Sequence, residues 1–306
     1  MQRYLLTRVI QSLLLLLGVL IIVFFLVRLT GDPASLMVAR DAPEEAREAF
    51  REAMGFNRPL IVQFFDYFWG VLRGDFGDSL HFKQPALELI LERLPATFQL
   101  ATVALLFAVV IAIPIGIMGG SNPGSATDSI GRALGLLGQT IPNFWLALIL
   151  IIIFAVYLGW FPSFGRDQAI SVVLPAIALG FASMGQLVRL TRSAVLEIRN
   201  EDYIRTARSK GISQFKIAAR HIFRNAALVL ISVISIQYSY LLGGSIYIET
   251  IFSWPGLGNL LQQAVDGRDF PLVQAIAFFI SLFVVALTLL TDVAYALIDP
   301  RIRYSN

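Results

Sequence analysis

Residues 201–211 read EDYIRTARSKG, and this charged stretch lies between two runs without Asp, Glu, Lys or Arg, residues 168–188 and 225–248. A helix rises 1.5 Å per residue, so about 20 apolar residues cross a hydrocarbon core of ~30 Å. Each flanking run is therefore long enough to span a membrane. The pattern predicts an all-α protein in which a polar loop joins two membrane-spanning helices.

The same criterion finds further candidate spans along the chain. They are residues 9–27, 94–127, 133–165 and 270–291. The second and third of these exceed one span, and each is expected to hold one helix and a polar turn. A seventh uncharged run, 250–265, contains Pro255 and Gly256, which predicts a loop or a partly inserted segment. The sequence thus predicts six transmembrane helices in one domain, residues 1–306.

The composition supports a membrane protein and excludes several kinds of site. Of the 306 residues 57% are hydrophobic and 15% are charged, against roughly 25% charged in soluble domains. Mean hydropathy is +0.71. The chain has no cysteine, two histidines without metal-ligand spacing, and no lysine followed by Ser or Thr, so a P-loop is absent. We therefore expect no catalytic residue, metal or cofactor, and the net charge of +3 indicates no nucleic-acid partner.

The distribution of basic residues predicts the orientation in the membrane. With six spans, one side holds both termini, the loop 189–224 and 14 Lys and Arg residues, and the other side holds nine. Seven of those nine lie in the long loop 30–97, and long loops translocate largely regardless of charge. The positive-inside rule therefore predicts cytoplasmic termini and an extracytoplasmic loop 30–97.

The loop 189–224 has the local signals of a short helix followed by a sharp turn. Asn200 suits an N-cap, and Glu201 and Asp202 suit a first helical turn. Gly211 suits the left-handed position just past a helix end, and Ser213 can cap a second helix. The sequence predicts helix, glycine turn and helix.

Apolar side chains in this loop suggest two roles. Tyr203, Ile204 and Ala207 share one helix face, and Ile212 and Phe215 follow at the corner. An apolar knob among basic residues resembles a ligand for the groove of a cytosolic partner. A basic amphipathic helix lying in the lipid headgroups is the other interpretation, and spacing alone does not separate the two.

Polar residues interrupt the run 225–248. Gln237 and Tyr240 are three positions apart and share a helix face, and Gly243 and Gly244 follow. Mid-span polar groups usually face protein or a water-filled pathway. We predict that these four residues line a translocation pathway, the alternative being helix contacts through small residues. For Glu249, at the end of the span, a structural hydrogen bond or a helix cap is favoured over a proton-relay role.

Several motifs together resemble a known family. The segment 202–211 with Arg220-His221 resembles the cytoplasmic docking loop of bacterial ABC-importer permeases, in the dipeptide/oligopeptide/nickel branch that includes glutathione importers. Further matches are Gly74-Asp75-Phe76-Gly77, Leu94-Pro95-Ala96-Thr97, Pro255-Gly256-Leu257-Gly258 and Arg268-Asp269-Phe270-Pro271. The long first outside loop is typical of the first permease subunit of that branch.

The resemblance implies the partners and the function. It implies a type I importer architecture in the bacterial inner membrane, a second homologous permease, two cytosolic ATPase subunits and an extracytoplasmic binding protein. The chain would form half of a translocation pathway, and the docking interpretation of the 203–215 residues is then favoured. An ion-coupled secondary transporter is the alternative, but the charge-free spans and the lack of a visible internal repeat count against it. The solute stays open among peptides, glutathione, nickel complexes and opine-like compounds.

Overall fold

The computed structural model describes residues 2–29, 43–53, 55–212 and 223–298, which are predominantly helical. The helices are α1 (Gln2–Leu29), α2 (Glu44–Ala53), α3 (Leu60–Leu72), α4 (Ala86–Ser121), α5 (Ala126–Thr140), α6 (Asn143–Leu150), α7 (Val173–Arg199), α8 (Asp202–Ser209), α9 (Phe223–Gly244), α10 (Ile246–Ile251), α11 (Leu257–Asp266) and α12 (Phe270–Ile298). A π-helix, Ile151–Tyr157, continues α6, and a 3-10 turn, Ala169–Val172, precedes α7.

The described helices confirm an all-α membrane protein. Four are long and apolar enough to cross a membrane: Leu6–Val27, Ala86–Ser121, Ala169–Arg199 and Phe270–Val293. The bent pair Ala126–Thr140 and Asn143–Tyr157 makes a fifth if it counts as one span. Helix α9 contributes only a shorter apolar segment, Leu230–Gly244, within the described side chains. The count of six spans therefore stays a prediction.

The predicted span 133–165 is wrong in its boundaries, because the chain breaks inside it. Helix α5 begins before that run and ends at Thr140, and its axis differs by 104° from that of the following helix. Ile141 is extended (φ −82°, ψ 119°) because the ring of Pro142 disfavours the helical conformation of the residue before it. The run 250–265 contains helix α11 and is therefore not a loop throughout, whereas its partial insertion in the membrane stays a prediction.

The helices form two compact units, Met1–Ala96 with Gly256–Val293, and Thr97–Pro255 with Ala294–Asn306. The core of the first unit contains Leu20 of α1, Val71 of α3, Ile90 of α4 and Leu260 of α11. Buried Asp269 accepts hydrogen bonds from Ser79 Oγ (2.5 Å), from the backbone N–H of His81 (3.1 Å) and from that of Leu272 (3.3 Å) at the start of α12.

Helices α5 and α7 pack closely in the second unit because glycines face each other. Gly131, Gly135 and Gly138 are buried along one face of α5. A Cβ added to Gly138 would lie 2.9 Å from Gly185 Cα of α7 and 3.0 Å from the Phe181 carbonyl oxygen. Small residues let helix backbones approach in this way, so the register of α5 on α7 depends on them.

Candidate functional site

A cavity of about 480 Å³ in the second unit is the first candidate site. Its wall includes the break between α5 and α6 at Ile141 and Pro142, and the end of α9 at Gly244. Non-helical backbone at membrane depth is tolerated where it is buried in protein or lines a water-filled cavity. Two interrupted helices therefore meet at one opening.

The cavity wall is rich in uncharged hydrogen-bonding groups. Its polar side chains are Gln139, Asn143, Ser183, Gln186, Gln237, Tyr240 and Tyr247. No Asp, Glu, Lys or Arg belongs to the described lining. Carboxamides both donate and accept hydrogen bonds, so the wall can pair with either kind of group on a solute without attracting one sign of charge.

Three of the four residues predicted for the pathway lie at this cavity. Gln237 is buried (4% exposed) and its Oε1 accepts a hydrogen bond from Ser183 Oγ at 3.0 Å. Tyr240 is 60% exposed, and Gly244 is also part of the wall. Gly243 is not among the lining residues, and a Cβ there would meet no atom within 4 Å. Within the described chain, Gly243 therefore makes no close helix contact.

Glu249 is fully buried beside the second break. Its Oε1 accepts hydrogen bonds from Thr97 Oγ1 and Ser245 Oγ, both at 2.9 Å. Ser245 separates α9 from α10, so the carboxylate stabilises the break and ties it to α4. This agrees with the structural hydrogen bond predicted for Glu249.

The second candidate site is helix α8 with the turn after it. The predicted N-cap at Asn200 is wrong, because Asn200 ends α7 and its N–H donates to the Glu197 carbonyl oxygen. The predicted turn is confirmed, since Gly211 has φ +73°. The N–H of Ile212 donates to the Ala207 carbonyl oxygen at 3.2 Å, the long hydrogen bond of a Schellman motif.

The apolar residues of α8 divide into buried and exposed groups. Ile204 (0% exposed) and Ala207 (6%) form a cluster with Val195 of α7, and Ile212 packs against it. Such side chains hold α8 onto the chain's own core and offer almost no surface to a partner. Tyr203 is 43% exposed. Phe215 lies outside the described residues.

An ion pair joins the start of α5 to the same part of α7. Arg192 donates to Asp128 through Nε (2.5 Å) and Nη2 (3.3 Å), and the N–H of Gly124 donates to the same carboxylate at 3.0 Å. The Asp128 side chain is 1% exposed. Arg192 lies one helical turn from Val195, so α7 carries both the α8 cluster and the link to α5.

Family comparison decides what kind of protein carries these sites. The family described as binding-protein-dependent transport system inner membrane component matches residues 112–304. The family describing the N-terminal part of such membrane components matches residues 1–101. The chain belongs to this transport family.

Relatives of this transport family align over the whole chain. A putative peptide transport system permease protein of Brucella abortus (strain 2308) is 40% identical over 99% of this chain and 100% of its own length. An oligopeptide transport system permease protein of Bacillus subtilis is 38% identical over the same shares. A glutathione transport system permease protein of Salmonella typhimurium is 39% identical, again over 99% and 100%.

A solved structure supports the fold. Inward-facing MetNI, a methionine ABC transporter, contains a chain that superposes with TM-score 0.60 at 20% identity, over 70% of this chain and 97% of that one. The resemblance seen in the motifs is thus confirmed. The chain is a multi-pass inner-membrane permease subunit of an ABC importer and not an enzyme, because in this family the ATPase is on separate subunits. Family membership also implies a binding protein and a second permease.

Sequence reasoning missed the amides on α5 and α7 and the pair of Asp128 with Arg192. The absence of Asp, Glu, Lys and Arg defines a candidate span, and this criterion does not distinguish Gln139 and Gln186 from ordinary span residues. Their amides inside apolar runs were a usable signal. The ion pair had no such signal, because its partners are 64 residues apart.

Proposed function

We propose that this chain forms half of a translocation pathway for peptides or similar small solutes, with the cavity of the second unit as the place where the solute passes. The observation that carries the proposal is the uncharged, amide-rich wall beside two helix breaks. Carboxamides match the donor and acceptor pattern of peptide groups whatever the peptide's side chains are. The volume of about 480 Å³ lies within the usual range for small-molecule sites.

The names of the relatives support this solute class. They name peptide, oligopeptide and glutathione transport. An uncharged wall also suits transport, because a solute that binds weakly through several alternative hydrogen bonds can leave as well as enter.

The test is ATP-driven peptide uptake in proteoliposomes that hold the assembled transporter. Gln186→Leu removes one amide from the cavity and should lower uptake while the ATPase subunits stay bound. Gln11→Leu makes the same change on α1, at an exposed position outside the cavity, and should leave uptake unchanged. Equal uptake by both variants would contradict the pathway. Uptake driven by an ion gradient without ATPase subunits would instead favour the secondary transporter.

We further propose that two ATPase subunits, one per permease, drive the cycle and that α8 is the docking element on this chain. Tyr203 supplies exposed contact surface, and Gly211 shapes the turn. Helix α8 packs on α7 through Ile204, Ala207 and Ile212, so that movement of α8 also moves α7. Phe215 stays a predicted contact of the same site.

The route from α8 to the cavity follows described contacts. Movement of α7 is passed through Arg192 to Asp128 at the start of α5. Helix α5 ends beside the cavity at Gln139 and Ile141. Motion of a packed helix pair is a known way to open and close a site, and we propose it here as the step coupled to ATP hydrolysis. Tyr203→Ala should weaken ATPase binding and leave the cavity intact.

The proposed orientation has cytoplasmic termini. Single cysteines are informative because the natural chain has none. A cysteine at exposed Ser209 should react only from the cytoplasm, and cysteines at exposed Gln84 and Asp167 only from outside. Reaction of the Ser209 position from outside in intact cells would reverse the proposal.

A further inference from the structure

Helix α3, Leu60–Leu72, presents three different faces. Phe64 and Val71 are each 8% exposed and face the core of the first unit. Gln63, Asp66 and Gly70, spaced three and four positions apart, form a second side without apolar side chains. The remaining side carries large apolar residues that are 40–60% exposed: Ile61, Val62, Phe65, Trp69 and Leu72.

Contacts with α1 hold this helix at one end of a membrane span. The Phe64 ring lies 5.3 Å from the ring of Phe24 and 6.3 Å from that of Phe25, between ring centroids. Tyr67 stacks on Phe24 at 5.8 Å. Phe24 lies three residues before the end of the apolar segment Leu6–Val27, a rise of about 4–5 Å. Helix α3 therefore lies near the level where the hydrocarbon core ends.

Helix α1 also exposes large apolar side chains at this end of the span. Ile22 and Leu26 are 61% and 56% exposed in the turns that carry Phe24 and Phe25. Only 11% of the most apolar window of this span is buried. An apolar helix of a membrane protein exposes such side chains to acyl chains. Both α1 and α3 therefore expose large apolar side chains at this end of the span.

We propose that α3 is an interfacial helix whose apolar side lies in the bilayer, at the boundary between acyl chains and headgroups. Phe65 and Trp69 lie on this side, and Trp is enriched at that depth. Arg58 forms an ion pair with Asp66 at 3.0 Å, and both side chains are largely exposed, as suits groups facing headgroups and water. Part of the loop 30–97 is therefore a membrane contact and not a solvated segment.

Lipid fits this side better than a protein partner does. On this side of α3 the only polar side-chain group is the indole N–H of Trp69, and no charged residue lies there. A helix whose apolar side is flanked by polar residues binds a bilayer by laying that side about 5–10 Å into the interface. The inference rests on membership of a membrane family and not on docking, solute or orientation, so it can fail independently of the proposed function.

Single-cysteine labelling of the assembled transporter in nanodiscs tests the proposal. An environment-sensitive fluorophore is attached at F65C, W69C or D66C, with L26C on α1 as the lipid-facing reference. We expect blue-shifted emission at 65 and 69, close to that at 26, together with quenching by lipids that carry a nitroxide on the acyl chain. At 66, on the polar side of the same helix, we expect emission typical of water and quenching by iodide.

Three results would overturn the proposal. The first is iodide quenching at 65 and 69 equal to that at 66, which would show a solvated helix. The second is protection at 65 and 69 that arises only when the binding protein is added, which would show a protein-docking side. The third is protection from iodide without quenching by nitroxide lipids, which would show contact with another subunit.

Discussion

Replacement of Gly211 tests the docking turn most directly. Gly211 has φ +73°, and a Cβ at this position would meet no other atom of the described residues within 4 Å. The effect of a substitution should therefore come from the backbone and not from collision. Alanine in this conformation costs about 1 kcal/mol, and valine, which is β-branched, costs about 2 kcal/mol. Asparagine tolerates the left-handed region and should cost only a few tenths.

These costs act on the contacts of the turn. Straightening the turn breaks the hydrogen bond from Ile212 to Ala207 and removes Ile212 from its place against Ile204 and Val195. Helix α8 then no longer lies in the position in which the ATPase subunits bind it. The affinity of the permease for them, measured in nanodiscs, should fall about fivefold for Gly211→Ala and about thirtyfold for Gly211→Val. Gly211→Asn should stay within about twofold of the natural chain.

The order of the three variants distinguishes backbone strain from size. Asparagine is larger than alanine, so a size effect would make Gly211→Asn worse than Gly211→Ala. Gly159→Val is the matched control, because Gly159 has φ +63°, has open space around a Cβ and lies outside the docking segment. It should leave ATPase affinity unchanged. An effect that follows side-chain volume, or normal affinity and uptake with Gly211→Val, would refute the docking turn.

Three further substitutions examine the cavity and the link between α5 and α7. Gln237→Leu should reduce peptide uptake. It should also destabilise the protein by about 1–3 kcal/mol, because the buried Ser183 hydroxyl loses its acceptor. Uptake and thermal unfolding measure the two effects. Arg192→Met should lower the free energy of unfolding, because Asp128 loses the guanidinium that donates to it twice while its own side chain stays buried. Gly138→Ala should lower thermal stability and uptake together, because its Cβ would lie within 3.0 Å of α7 backbone atoms.

Each of these has a matched control. Ser183→Ala combined with Gln237→Leu should recover stability but not uptake, and recovery of both would mean that Gln237 only packs. Arg132→Met alters an exposed partner of Asp128 at 3.7 Å, so a loss as large as that of Arg192→Met would contradict the buried pair. Gly243→Ala should be tolerated because the position is open, and damage equal to that of Gly138→Ala would count against close packing at Gly138.

Local features of this protein could be predicted from the sequence because they depend on backbone sterics and periodicity. The left-handed Gly211 followed from a glycine after a helical segment, and the shared face of Gln237 and Tyr240 followed from their spacing. The predicted helix start at Asn200 is wrong because α7 ends and α8 begins within three residues. A good capping residue at such a junction can serve either helix, and here it ends α7.

An all-α membrane protein could be predicted from the amino-acid sequence, because charge-free runs long enough to cross a bilayer are a property of composition and length. The glycine turn could be predicted from it as well. The burial of Ile204 and Ala207 in the chain's own core and the pairing of Asp128 with Arg192 are visible in the folded chain alone. It alone brought Gln139 and Gln186 to one cavity with Gln237. These contacts join residues far apart in sequence, and helical periodicity shows which residues share a face but not what that face meets.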